Sequence, residues 1–343
     1  MSLLASGPLG LQPEWARPAT VWRRECPVST EPAAQPAFSD QAMLAVRLHP
    51  PGGLEALRVE EIGIPRPGPD EALIRVHAAA ITRDELEWPV DRLPAVPSYE
   101  LSGIVVEVPP GEADVANGDA VYALAAFDRN GAAAEYAVVK ARFLAPKPRT
   151  LGHVESAALP LAGLSAWQGL FVHGGLQARQ RVLIHGAGGG VGHLATQLAR
   201  SRGAYVIGTA SGGGVEIARA SGAHEVVDRK TTMFEDVVEP VDLVFDTVGG
   251  DTLARSAAVL RESGRLVSVA EEPPADVSGK VAVTYFVVEP DRDQLVELAR
   301  LVDEGKLRPA IDSVFPLGDA RAAFERVMGS GKRGKIVLEV VHD

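Results

Sequence analysis

The stretch RVLIHGAGGGVG, residues 181–192, decides the fold. Its first five residues read as a short buried strand, and the turn that follows runs straight into HLATQLARSRG, whose apolar residues recur at helical spacing. Strand, glycine turn and helix in that order make a dinucleotide fingerprint. Glycine permits positive φ in the tight turn, lets backbone N–H groups approach a pyrophosphate, and lets helix pack closely on strand. Gly186, Gly188, Gly189, Gly190, Val191 and Gly192 are therefore the expected cofactor-binding residues.

Working toward the C-terminus, AYVIGTA, VEIARASGA, EVVD and VDLVFDTV alternate buried β runs with amphipathic helices. A helix over TLARSAAVLRE and strands over GRLVSVA and VAVTYFVV carry the pattern to about Val288. This alternation implies a parallel doubly wound sheet, an α/β fold. Many NAD binders end the second strand on a carboxylate that holds the ribose hydroxyls, but here that end reads Gly208-Thr209-Ala210-Ser211. A 2′-phosphate meets no like charge there and the Ser211 hydroxyl can donate to it, so NADP is expected over NAD; otherwise Ser211 is an ordinary loop residue. Arg200 or Arg219 is within sequence reach as a cationic partner. Asp242 and Asp246 resemble paired carboxylates but sit where strand-end roles are expected.

Toward the N-terminus, residues 151–174 show helical spacing interrupted by Pro160 and Gly163, which predicts two helices. From Leu44 to about Val139, the runs MLAVRL, LRVEEI, ALIRVHAAA, SGIVVEV, DAVYAL and AEYAVV alternate with Gly- and Pro-rich punctuation, the pattern of a compact β domain. Residues 1–42 scatter prolines without period and read as a tail, either a disordered extension ahead of Met43 or a partner-binding arm. After Val288 come the helical DQLVELARLVDEGKL and DARAAFERVM and a closing strand, KIVLEVV.

With 46% hydrophobic and 23% charged residues in 343, the chain is globular and large enough for two domains. Against 45 Asp and Glu stand only 34 Lys and Arg, a net charge of -11, so no global field favours nucleic acid. The single cysteine, Cys26, allows neither an internal disulfide nor a Cys-rich zinc lobe and fits a reducing cytoplasm. No apolar run approaches the roughly 20 residues of a membrane span, and no signal peptide is read.

The order of these parts resembles the medium-chain dehydrogenase/reductase superfamily, in the zinc-independent, quinone oxidoreductase-like, NADP-dependent branch. The resemblance rests on residues 97–103 (PSYELSG), 118–122 (GDAVY), 131–136, 159–167 (LPLAGLSAW), the glycine loop and 333–338 (RGKIVL). It implies a GroES-like catalytic domain over 43–160 and again over 290–343, interrupted by a Rossmann domain over 161–289, with the site in the cleft between them and a homodimer as the assembly. In the alcohol dehydrogenase branch a zinc-binding cysteine occupies the position of Thr82 and a histidine that of Tyr99. Neither hydroxyl is a plausible zinc ligand, so no metal is expected. Ser165, Thr247, Val248, Phe286 and Val288 are implied to line the cofactor, although Phe286 and Val288 also suit a plain buried strand. Lys332 and Arg333 bring positive charge to the cofactor or are solvated surface charge.

Tyr99 either donates to a substrate oxygen or packs in the domain seam with its hydroxyl on a backbone carbonyl, and Thr82 either faces the nicotinamide ribose or substrate or caps its loop. His77, His185 and His193 lack a nucleophile or carboxylate at suitable spacing and read as structural. The expected activity is NADPH-dependent hydride transfer to a small-molecule electrophile, a quinone or an α,β-unsaturated carbonyl, with residues 87–95 shaping the substrate end. Reduction of an aldehyde or ketone, and a nucleotide-binding protein without catalysis, are the alternatives.

Overall fold

Residues with alternating or fully apolar patterns gather into three sheets in the computed structural model, which describes residues 38–89, 91–112, 114–278 and 281–341. Cys26, the expected tail as far as residue 37, and Val90 lie outside the described residues. Strands β1 (Phe38–Leu48) and β2 (Leu57–Pro65) pair antiparallel, so regular structure begins five residues ahead of Met43. Five further strands, β3 (Glu71–Ile81), β4 (Glu100–Glu107), β5 (Ala120–Leu124), β6 (Tyr136–Lys140) and β7 (Ala145–Pro146), correspond to the Gly/Pro-punctuated runs.

Helices α1 (His153–Ala157) and α2 (Pro160–Trp167) follow, continued by a π-helical turn over Gln168–His173. Of the two expected breaks only the first is seen: Ala158 and Leu159 separate the helices, and Pro160 opens α2 as its N-terminal residue. Gly163, expected to break a helix, lies inside α2, where a Cβ would stand 2.9 Å from Leu298 Cδ1. Its glycine serves a close helix–helix approach rather than a turn.

The remaining elements are β8 (Arg181–His185), α3 (Gly192–Ser201), β9 (Tyr205–Ala210), α4 (Gly214–Ala220), β10 (Glu225–Asp228), β11 (Val241–Asp246), α5 (Gly250–Arg255), β12 (Leu260–Ser268), α6 (Ala275–Ser278), β13 (Ala282–Tyr285), α7 (Arg292–Asp303), β14 (Ile311–Pro316), α8 (Ala320–Met328) and β15 (Lys335–Glu339). The helix expected across TLARSAAVLRE stops sooner: a short 3₁₀ turn ends at Val259, and Leu260 already pairs with Val241 as strand. Ladder pairing overrides helical propensity there.

Among the described residues one sheet is six-stranded, all parallel, in the order β10-β9-β8-β11-β12-β13. The order reverses between β8 and β11, and ligands of such sheets bind at the strand carboxyl ends where that reversal opens a crevice. The other large sheet is completed from the far end of the chain, because β15 inserts antiparallel beside β3, pairing Ile336 with Ile81. Helix α7 fastens the two halves: Tyr122 Oη donates to Leu295 O at 2.5 Å, and Arg292 Nε to Leu144 O at 2.9 Å. The chain's return thereby carries Lys335 to the seam, next to the glycine loop.

Candidate functional site

The glycines of the loop divide into two groups by what surrounds them. Gly186 has φ +72, and a Cβ there would lie 2.7 Å from Thr247 Oγ1; at Gly188 it would enter the backbone of Gly214; at Gly192 it would lie 2.7 Å from the Gly186 carbonyl carbon. These three are demanded by packing. Gly189 differs, since its nearest neighbour is the Gly186 carbonyl oxygen at 3.1 Å, and Gly190 faces only the Lys335 side chain at 3.1 Å and beyond. A loop kept free of side chains where the protein itself leaves room is a cradle for a ligand backbone can approach.

Of the residues expected to line the cofactor, Thr247 and Val248 lie against this loop at Gly186. Val191 precedes the first turn of α3, and Thr247 Oγ1 donates to His185 O at 2.8 Å, tying the end of β11 to the end of β8. Val248 is exposed beside it. Ser165 is buried on α2 with its hydroxyl unpartnered among the described residues, an unmet polar group that a carboxamide or ribose would satisfy. Phe286 and Val288 are buried just past β13, with Phe286 N–H on Ser268 O and its ring 4.4 Å from that of His173. The residues present fit a nicotinamide dinucleotide.

Ser211 lies at the end of β9, partly exposed, and its hydroxyl makes no hydrogen bond among the described residues. Its cationic neighbour comes from the opposite end of the chain: a Cβ on Gly213 would stand 2.7 Å from Arg333 Cζ, so the guanidinium lies against the 211–214 loop. Its backbone N–H is anchored to Asp312 Oδ1 at 2.8 Å, which also takes the Arg326 guanidinium at 2.7 Å. Arg200, by contrast, is engaged with His224. Lys332 turns the other way, donating to Val327 O, and burial together with neighbouring Arg83 lowers its pKa to about 8. Proximity in sequence had grouped Lys332 with Arg333, but the loop sends them to different places.

Beside the glycine loop, through Lys335, lies a buried ionic cluster that pattern reading did not single out. Lys335 Nζ pairs with Glu100 Oε1, with side-chain exposures of only 6% and 0%. The same ammonium reaches Thr82 Oγ1 at 3.2 Å and Ile81 O at 3.3 Å, while Glu100 Oε2 accepts the Leu161 N–H at 2.9 Å. Glu85, fully buried, accepts the Thr82 N–H at 3.3 Å, and its Oε1 has no partner among the described residues. Burial raises its pKa to about 8 despite nearby Lys335, so at neutral pH this carboxyl is protonated. A strand-end lysine reads as surface charge in sequence; the GKIVL context carried no sign that its partner lay at Glu100, 235 positions away.

Tyr99 is enclosed, stacked among Trp88 and Phe127 with ring centroids 5.8 and 5.2 Å away. Its oxygen accepts from Arg92 Nη2 at 3.1 Å, and Arg92 also donates to Phe127 O. Burial pushes the phenol up to about 12. Thr82 is partly exposed, whereas Tyr99 is fully buried.

The histidines have structural partners. Ser256 Oγ donates to Thr252 O at 2.7 Å and so receives His185 Nε2–H at 3.0 Å, leaving Nδ1 to accept from Thr209 at 3.0 Å. His193 clamps the cradle: Nδ1 lies 2.8 Å from Gly189 O, and Nε2 accepts the Ala310 N–H at 2.9 Å. Burial lowers His185 to about 3 and His193 to about 4. Each stays neutral in the folded chain but takes a proton below about 6.5 when unfolded, so stability falls with pH below 6.5 by about 1.4 kcal/mol per pH unit per histidine. Chemical denaturation from pH 7 to 4.5 should show that slope, and His185→Gln should reduce it by one proton; an unchanged slope refutes the assignment. Asp246 caps the Val248 and Gly249 N–H groups, and Asp242 accepts the Arg181 N–H and pairs with Arg261, which gives both strand-end roles.

Two family descriptions match the chain, Alcohol dehydrogenase GroES-like domain over residues 68–149 and Zinc-binding dehydrogenase over residues 221–338. A probable zinc-binding oxidoreductase, mitochondrial, of Arthroderma benhamiae is 35% identical over 81% of this chain and 92% of its own length. An NADPH-dependent alkenal/one oxidoreductase, chloroplastic, of Arabidopsis thaliana is 32% identical over 84% and 77%. The solved quinone oxidoreductase of Coxiella burnetii superposes with a TM-score of 0.83 at 31% identity, covering 88% of this chain and all of that one. Zinc, present in two of these names, does not suit the residues here: Thr82 and Tyr99 are hydroxyls, and among the described residues no three His, Cys, Asp or Glu side chains gather as a metal site. No helix among the described residues is long and apolar enough to cross a membrane. Members of the matched superfamily bind NAD or NADP, in keeping with the cradle described above. With a GroES-like domain built around a parallel-sheet dinucleotide domain, the chain belongs to the medium-chain dehydrogenase/reductase superfamily, quinone oxidoreductase-like, and is an oxidoreductase.

Proposed function

We propose that the protein is an NADPH-dependent reductase that delivers hydride to a quinone or to the β-carbon of an α,β-unsaturated carbonyl compound, without zinc. The observation that carries this reading is the glycine loop linked through Lys335, which packs against Gly190, to the Thr82 hydroxyl, a residue that is no metal ligand. NADPH supplies the hydride when bound. The chain's own residues do the rest. The Gly186–Gly192 turn and α3 receive the pyrophosphate, Ser211 and Arg333 receive the 2′-phosphate, and Ser165 with Phe286 orients the ring. A conjugated acceptor needs less carbonyl polarisation than a simple ketone, which suits a site with hydroxyl donors instead of a Lewis acid. Relatives named for quinone and alkenal/one substrates support the same class.

The test is turnover of NADPH by the purified protein with 1,4-naphthoquinone, trans-2-hexenal and benzaldehyde. Oxidation with the first two and little with the third is expected; no oxidation with any, despite NADPH binding, would move the non-catalytic alternative ahead. Tyr99→Phe separates the remaining alternative. Because the phenol is enclosed and already accepts from Arg92, kcat should fall by less than about fivefold. A loss of about 100-fold confined to kcat would instead assign Tyr99 as proton donor and favour aldehyde or ketone reduction.

A further inference from the structure

Behind the Thr82 hydroxyl stands a charge that hydride transfer as proposed does not yet use. Lys335 is buried, contributed by the last strand, and its ammonium forms an ion pair with Glu100 and donates hydrogen bonds to Ile81 O and Thr82 Oγ1. Two of its N–H groups are directed at protein oxygens. Thr82 Oγ1 receives one of them, so its own O–H is left to donate, and no residue among those described accepts it. The residue is partly exposed while Lys335 and Glu100 are not. Lys335 also packs against the glycine loop, its Cδ 3.1 Å from the position of a Gly190 Cβ, which sets the pair at the boundary between cofactor cradle and catalytic domain.

We infer that Lys335 is a positioning residue for the reaction, holding the Thr82 hydroxyl as a polarised donor to the substrate's conjugated carbonyl oxygen. The inference rests on the hydride-transfer reading above and specifies how its oxygen is stabilised. When hydride adds to the β-carbon, the C=C pair becomes the C=C of an enolate and the carbonyl pair moves onto oxygen. That oxygen gains charge, and a hydroxyl already receiving a hydrogen bond from a cation donates more strongly to it. Thr82 keeps its proton throughout; the α-carbon takes one from water. A quinone takes hydride at a ring carbon in the same way; that carbon then gives a proton to water as the ring aromatises while the other carbonyl oxygen takes one, leaving the phenolate of a hydroquinone. The substrate class is thus a conjugated carbonyl whose reduced form is a stabilised oxyanion.

Glu100 and Glu85 set the electrostatic level of the site. Glu100 holds the ammonium in place, and Glu85, the other carboxyl facing it, is protonated at neutral pH and so leaves Lys335 with one full counter-charge rather than two. Tyr99 has a similar arrangement with Arg92, but its enclosure keeps it from a ligand. The accessible hydroxyl is the one backed by Lys335.

The experiment uses the full chain and two readouts. Thr82→Val should lower kcat for trans-2-hexenal about 30- to 100-fold with a smaller change in KM, and Thr82→Ser should recover most of it. Lys335→Met is made together with Glu100→Gln so that no buried charge is stranded. In that background Thr82→Val should cost about threefold or less, because the donor it removes is no longer polarised; an effect as large as in the wild-type chain would overturn the inference. The second readout needs no turnover. 4-Nitrophenol bound to the protein with NADP+ present, followed by its phenolate absorbance, should titrate at lower pH than free in solution. That depression should vanish in Thr82→Val and in the Lys335→Met/Glu100→Gln variant. Where the double variant does not fold, Lys335→Arg, which keeps the charge but not the Nζ that reaches Thr82, should move the titration back upward. Equal titration in all these proteins, or no depression in the wild type, refutes the pairing. Failure of the wild type to oxidise NADPH with any conjugated carbonyl would instead refute the reductase reading.

Discussion

Gly189→Glu is expected to fold as the wild-type chain does and to lose NADPH affinity by about 100-fold or more. A Cβ at Gly189 meets only the Gly186 carbonyl oxygen, at 3.1 Å, so a shift of a few tenths of an ångström admits it, while the carboxylate it carries is set against the expected approach of the pyrophosphate. Two like charges in so confined a site cost several kcal/mol, and each 1.4 kcal/mol is tenfold in affinity. Gly188→Ala and Gly192→Ala are the informative contrast. Their Cβ atoms would enter the backbones of Gly214 and of Gly186, so they should lower Tm before they alter binding. Nicotinamide fluorescence titration beside a thermal melt separates the two outcomes. A Gly189→Glu protein that keeps its fold and its affinity would remove the cofactor assignment.

The second large effect concerns the choice between cofactors. Arg333→Glu and Ser211→Asp should each weaken NADPH by about 10- to 100-fold and leave NADH within about threefold, because charge-assisted hydrogen bonds to a phosphate are worth about 1.5–3 kcal/mol and NADH lacks that group. The guanidinium lies against Gly213, next to the Ser211 hydroxyl, and has no ion pair among the described residues, so its charge is available. Lys332→Gln, whose ammonium is turned toward Val327, should change neither affinity appreciably. Paired titrations over a salt series decide the matter: wild-type affinity for NADPH should fall as salt rises, because an attraction is screened, whereas in Arg333→Glu salt screens a repulsion and the loss is partly relieved. Equal losses of NADPH and NADH affinity would show that Arg333 acts on the dinucleotide as a whole, and unchanged affinities would dismiss it.

Local chemistry was readable in one dimension wherever it is made by neighbours in the chain. The glycine loop, its flanking strand and helix, and the alternation that follows specified a parallel sheet, and the six-stranded order with its reversal between β8 and β11 agrees with it. The helix over residues 252–262 was overextended because propensity does not register that Leu260 has a strand partner at Val241. Gly163 was misplaced for a related reason: a glycine that admits Leu298 from another helix looks the same in sequence as one that ends a helix.

What the sequence determined by itself was the fold class and the dinucleotide cradle, since each depends on residue type and short-range spacing. The tertiary structure alone decided which charges meet one another. Closing β15 against β3 brings Lys335 to Glu100 and Thr82, and carries Arg333 to the loop after β9, from the far end of the chain. Burial then does what no spacing encodes. It holds Glu85 protonated, keeps His185 and His193 neutral, and encloses Tyr99 while leaving Thr82 open, because solvation of a charge or a hydroxyl depends on everything packed around it.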